Sequence, residues 1–165
     1  MIQILEAFLE DIPVIQLLAN SIWPIAYKDI ITMEQIAFML ETRYSTEALQ
    51  KQMNEGQQFF LAKEDNEFMG YAGVVPASKA GLFKLEKLYV VPATHKKGIG
   101  TLLLQAVEQY TIENGGNKLT LQVNRSNAAV GFYKRMGFII EREEDVVIGN
   151  GFYMNDYFME KKIAK

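Results

Sequence analysis

Cysteine is absent from the 165 residues, and histidine occurs once, at His95. Lacking thiols, the chain can form no disulfide, no thiolate metal site and no cysteine nucleophile, which fits a protein of the cytoplasm and leaves no metal site to expect. Long apolar runs are missing too, and none approaches the ~20 residues that a membrane-spanning helix needs. The opening Met1-Ile2-Gln3-Ile4-Leu5-Glu6 lacks the basic start and long apolar core of a secretion signal. There is no excess of basic charge. The formal net charge of −3 argues against a nucleic-acid partner and leaves a surface that tolerates a cationic one. No repeat, linker or low-complexity tract divides the chain. At 49% hydrophobic composition, residues 1–165 are enough for one domain with a good core.

The organising stretch runs from Leu85 to Tyr110 and reads as a buried strand, a short basic glycine loop and a long helix. Ile99, Leu102, Leu103, Ala106, Val107 and Tyr110 recur on a 3.6-residue period, and Asn114-Gly115-Gly116 supplies the stop. A helix start carries unpaired N–H groups and the positive end of the helix dipole, so it attracts anions. Gly98 and Gly100 let a phosphate approach that backbone, and Lys96 and Lys97 add charge beside it. The same glycines would also serve a tight strand-to-helix junction with no ligand. Two common phosphate motifs fail here. Leu103 stands where G-x-G-x-x-G needs its third glycine, and the P-loop is absent.

The sequence Leu88-Tyr89-Val90-Val91-Pro92, followed by His95-Lys96-Lys97-Gly98-Ile99-Gly100, resembles the acetyl-CoA motif [Q/R]-x-x-G-x-[G/A] of the GNAT superfamily of N-acetyltransferases. His95 stands where the family has Gln or Arg. Downstream, Leu121 to Phe138 is similar to the second hallmark of that family, with Asn127, Phe132, Tyr133, Gly137 and Phe138 in register. The resemblance implies acetyl-CoA bound along Leu88, Tyr89, Val90, His95, Lys96, Lys97, Gly98, Ile99, Gly100, Thr101, Asn127, Tyr133 and Arg135. It implies an α+β GNAT fold, a mixed and mostly antiparallel seven-stranded sheet with helices on both faces, in the order β-α-α-β-β-β-α-β-α-β-β.

The remaining elements read as follows. Residues 2–7 form a strand, 11–22 a helix ended by Trp23-Pro24, and Thr32 to Gln35 a capping box opening a helix through about Leu40. A further helical piece covers 45–53. Strands follow at 58–63, 68–75, 81–91, 118–123, 139–147 and 152–161, with a short helix over 127–136.

Acetyl transfer asks for a neutral amine, donors for the oxyanion and a proton for the departing thiolate. By the resemblance the backbone N–H of Val90 holds the thioester carbonyl and Tyr133 is the general acid, although Tyr133 could simply pack beside Phe132. Asn127 caps its helix and contacts the cofactor, and Arg135 reaches the CoA phosphates or stays solvated. On the 81–91 strand, Lys84, Glu86, Leu88 and Val90 are expected on one face. Glu86 is the candidate relay for the amine proton, or else the partner of a neighbouring lysine. His95 lies at the pyrophosphate end and is not the base. Acceptor candidates are Trp23, Tyr27, Tyr44, Tyr153 and Asp156, since aromatic faces hold cations, with core packing the alternative for each. The expected activity is transfer of acetyl from acetyl-CoA to a small, polyamine-like amine in a ternary complex. The alternatives are a non-catalytic acetyl-CoA sensor and an acetyltransferase for a protein amine. Homodimers are common in the family.

Overall fold

A computed structural model describes residues 1–164, apart from the side chains of His95 and Lys96. The strands are Ile2–Ala7 (β1), Gln58–Glu64 (β2), Glu67–Pro76 (β3), Leu82–Val90 (β4), Lys118–Asn124 (β5), Ile139–Gly149 (β6) and Phe152–Lys162 (β7). They form one sheet in the order β1-β2-β3-β4-β5-β7-β6, antiparallel throughout except between β4 and β5. The helices are Ile12–Ala26 (α1), Met33–Tyr44 (α2), Thr46–Asn54 (α3), Ile99–Glu113 (α4) and Ala129–Arg135 (α5). Three helices precede β2, the third being the helical piece expected at 45–53.

Local chemistry accounts for these boundaries. The Thr32 side chain accepts from the Gln35 N–H at 3.1 Å and Ser45 accepts from Ala48 at 3.1 Å, so each hydroxyl opens a helix. The Gln35 side chain does not close the capping box. It leaves the helix and donates to the Tyr153 carbonyl at 2.7 Å, tying α2 to the last hairpin. Pro24 does not end α1, which runs on to Ala26. A proline this late removes one hydrogen bond of the final turn, and burial of Trp23 and Tyr27 on either side offsets the loss. The buried face of α4 carries Ile99, Leu103, Leu104, Val107 and Thr111, a stripe rotated slightly from the expected one.

Each face of the sheet has its own core. One gathers Phe83, Leu85, Leu103, Leu121, Tyr133 and Met159 under α4 and α5. The other gathers Ile15, Trp23, Tyr44, Phe59, Tyr71 and Met154 under α1, α2 and α3.

The main correction to the expected arrangement lies in β4. Its register against β3 runs Gly73↔Lys87 and then Val74↔Leu85, so Glu86 is an extra residue with no partner of its own. This is a β-bulge, and it inverts the alternation beyond it. Phe83, Leu85, Leu88 and Val90 all pack on the α4 side, whereas Lys87 lies over the rings of Tyr44 and Phe59 and Tyr89 packs with Trp23 on the other. Lys84 does not share a face with Leu88 and Val90. The bulge also coincides with the loss of pairing to β5. The parallel ladder covers only Leu82↔Lys118 to Leu85↔Leu121, and from Glu86 onward the two strands separate.

Candidate active site

A cavity of about 1060 Å³ fills the gap where β4 and β5 part. At one end lies the start of α4. Gly98 sits there with φ 76° and ψ 16°, a left-handed conformation that costs a side-chain residue ~1–2 kcal/mol. Among the described residues no heavy atom stands within 4 Å of where its Cβ would be. Gly98, Gly100 and Thr101 line the cavity, and the first N–H groups of a helix have no acceptor within it. No acidic residue occupies the first turn of α4. A helix start that opens on a left-handed glycine beside this cleft fits a phosphate-bearing carrier.

Leu88, Tyr89 and Val90 line the separated length of β4, with Val90 opposite Gly70 of β3. Across the cleft, Asn127 accepts from the Ala129 N–H at 2.8 Å, an Asx turn that leads the chain into α5. Tyr133 of α5 is buried between Phe132 and Phe138, with ring centroids 5.4 and 5.6 Å away, and lines the cleft. Burial pushes its phenol well above the ordinary value, so the proton stays on the oxygen at neutral pH. Arg135, exposed at the rim, also lines the cleft.

The other end is walled by aromatics. The Trp23 indole donates to the Tyr71 hydroxyl at 3.2 Å, and Tyr71 donates to Tyr44 at 2.8 Å. Tyr27 and Tyr89 share a hydrogen bond of 2.9 Å. Burial raises the pKa of all four tyrosines, so this wall stays uncharged. Asp156 of β7 reaches the same end. It is 6% exposed, and its Oδ2 accepts a long 3.4 Å bond from Gln122 while its Oδ1 has no partner among the described residues. An unsatisfied buried acceptor costs ~1–3 kcal/mol. Burial raises the pKa of this carboxyl, and the Gln122 bond and the cations Lys84, Arg43 and Arg125 oppose that rise.

Several expected residues lie elsewhere. Lys97 pairs with Glu64 of β2 at 2.9 Å and does not line the cleft. Ile99 is fully buried in the core under α4, so only its backbone is near the loop. Tyr153 is 55% exposed and outside the cavity. The expectations for the His95 and Lys96 side chains fall outside the described residues. Glu86 stands at the rim as the bulge residue, exposed and 3.4 Å from Lys84.

Sequence reasoning passed over Lys84, Lys87, Gln122 and Arg43, which all line the cavity. Lys87 is 8% exposed, with Nζ donating to Gln52 and Gln57 at 2.7 and 2.8 Å. Gly73 lets Gln57 cross β3 to reach it, since a Cβ there would meet the Gln57 amide oxygen head on. A signal for the bulge was present, because apolar residues fall at 83 and 85 and then at 88 and 90.

The family model described as an acetyltransferase (GNAT) domain matches residues 28–161. Spermidine N(1)-acetyltransferase of Thermoplasma acidophilum is 30% identical, over 98% of this chain and 97% of its own. The crystal structure of the PaiA N-acetyltransferase from Thermoplasma acidophilum in complex with coenzyme A superimposes with a TM-score of 0.82 and 28% identity, covering 98% of this chain and 99% of that one. The uncharacterized N-acetyltransferase YhfO of Bacillus subtilis is 34% identical over 56% of this chain, an alignment that spans 62% of that protein.

Proposed function

The chain belongs to the GNAT family of acetyl-CoA-dependent N-acetyltransferases, and from that premise we propose that it acetylates a primary amine of a small, polyamine-like acceptor by direct attack in a ternary complex. Acetyl-CoA, when bound, supplies an acyl carbon activated by a thiol leaving group. The α4 loop at Gly98, Gly100 and Thr101 would hold the pyrophosphate, and Arg135 and Asn127 would steady the carrier from the α5 side. Tyr133 keeps a phenolic proton available in the cleft for the leaving sulfur, because its buried ring makes the phenolate costly.

The observation that carries the acceptor class is the unpartnered Oδ1 of Asp156 beside the uncharged wall of Trp23, Tyr27 and Tyr89. A carboxylate and aromatic faces together suit an alkylammonium. The neighbouring lysines compete little for that oxygen, since Lys84 is held by Gln122 at 2.5 Å and Lys87 by two glutamines. Kinship with a spermidine acetyltransferase points the same way. Arg43, exposed at the rim, is the counter-charge that an acceptor bearing a carboxylate would use instead.

The test is thiol release from acetyl-CoA against polyamines, amino acids, aminoglycosides and a lysine peptide. With no cysteine in the chain, a thiol reagent meets no background from the protein. Release with polyamines is expected. Release only with amino acids would move the acceptor class toward the Arg43 side, and release only with the peptide would replace it by a protein amine. Binding of acetyl-CoA without any release would replace the enzyme by a sensor.

A further inference from the structure

We propose that Asp156 is the group that receives the proton of the acceptor amine, in place of the rim residue Glu86. The inference rests on the acetyl-transfer reading above and deepens it. A row of polar side chains crosses three strands on the acceptor face: Glu86 to Lys84 at 3.4 Å, Lys84 to Gln122 at 2.5 Å, and Gln122 to Asp156 at 3.4 Å. Within that row Glu86 is occupied by Lys84 and by solvent, and the Gln122 amide is occupied on both sides. The Asp156 Oδ1 alone meets no protein donor among the described residues, although the residue is 94% buried and lines the cleft. A buried acceptor without a donor destabilises a fold unless the donor arrives with a ligand. The donor that this cleft admits is the amine.

The step balances without any further reactant. The amine nitrogen forms its bond to the acyl carbon as the carbon–sulfur bond breaks. The proton that the nitrogen sheds passes to Oδ1, and the sulfur takes the Tyr133 proton. Solvent then returns Asp156 and Tyr133 to their starting states. The groups facing Asp156 are Tyr27 just after α1, Arg43 from α2, Lys84 from β4 and Arg125 after β5. Glu144 lies opposite on β6, 3.8 Å from Arg142. Burial raises the pKa of the carboxyl, which suits a proton acceptor, and the Gln122 bond and the cations Lys84, Arg43 and Arg125 oppose that rise.

The test compares Asp156→Asn and Glu86→Gln in the full chain, using an amine that the wild type accepts. Three readouts are taken: the pH profile of kcat/KM, acetyl-CoA affinity by calorimetry, and thermal unfolding of the ligand-free protein against pH. Asp156→Asn is expected to lower kcat/KM on the order of 10²-fold or more and to erase the acid limb, with acetyl-CoA affinity unchanged. Its melting temperature should exceed that of the wild type at pH 8. An acid that titrates higher in the fold than its ordinary 3.8 loses stability as pH rises through the folded value, and the asparagine escapes that loss. The advantage therefore vanishes below about pH 3.8. Near-wild-type kcat/KM in Asp156→Asn, or loss of the acid limb in Glu86→Gln instead, would overturn the assignment. So would an Asp156→Asn protein that melts lower at every pH and binds acetyl-CoA poorly, since that is a structural role. Asp156→Ser replaces it if the asparagine variant does not fold. Wild-type protein that transfers to no amine refutes the acetyl-transfer reading itself, and the proposal with it.

Discussion

Replacing Lys87 by methionine should flatten the stability of this protein against alkaline pH. Lys87 carries its ammonium over the Phe59 and Tyr44 rings, 5.0 and 5.8 Å from their centroids, with two glutamine oxygens as its hydrogen-bond partners. Burial lowers its pKa from 10.5 to about 8, the pull of Glu86 opposing and the push of Arg43 and Lys84 assisting. In the unfolded chain the same amine keeps its proton to about 10.4. Between these limits the unfolded state binds more protons, so folding stability rises with pH. At ~1.4 kcal/mol per pH unit, the gap is worth about 3 kcal/mol over the whole window. Methionine cannot titrate, and its loss of the glutamine bonds and of the buried charge is an offset that pH does not change. The buried tyrosines lower stability at the top of the range, equally in both proteins, and cancel in the difference. Urea unfolding followed through the single, buried Trp23 gives the two stabilities. The wild type should gain ~3 kcal/mol on the variant between about pH 7.5 and pH 10.5. A difference that moves by less than ~1 kcal/mol would mean that the ammonium is hydrated and that the burial argument is wrong.

Other perturbations reach other parts of the fold. Tyr133→Phe should lower kcat on the order of 10²-fold while calorimetry finds coenzyme A affinity within about threefold of wild type, and unchanged turnover would remove the phenol from the chemistry. Gly98→Ala forces a Cβ into φ 76°, so the melting temperature should fall roughly 3–6 °C and acetyl-CoA should bind more weakly. An alanine there that matches the wild type in both would show that the left-handed turn is dispensable. Leu103→Ala empties a fully buried position under the sheet and should cost ~3–5 kcal/mol in urea unfolding, while a cost below ~1 kcal/mol would mean that the core collapses into the space.

The fold was legible in the sequence wherever one periodicity governed a whole element. The α4 stripe, its Gly115-Gly116 stop and the Thr32 and Ser45 caps are local features, written within a few residues of where they act. The loop from Gly98 to Thr101 and the run from Asn127 to Tyr133 belong to the same class, and both reach the cleft. The acceptor end was opaque because its polar groups come from distant parts of the chain. Lys84, Gln122 and Asp156 are separated by dozens of residues and meet only through the pairing of β4, β5 and β7. Lys87 carries no signal in the sequence, since nothing beside it announces Gln52, Gln57 or the two rings above it. Tyr153 illustrates the opposite error. It is an aromatic residue on the last hairpin, yet its ring faces water and only its carbonyl serves the fold.

The bulge at Glu86 behaves like a frameshift in a strand. Upstream of it, odd-numbered side chains are read by α4; downstream, even-numbered ones are. Substituting Glu86 changes a letter, whereas deleting it would remove the inserted residue and let Leu85 run straight into Lys87, with every later side chain still on its present face. Lys87 and Tyr89 would stay toward the acceptor and Leu88 and Val90 under α4, but the irregularity would be gone, and β4 would be free to zip onward along β5. Drift by single substitutions can thus retune the charges around the acceptor without touching the slot between the strands, whereas loss of the one extra residue would put the slot itself at stake.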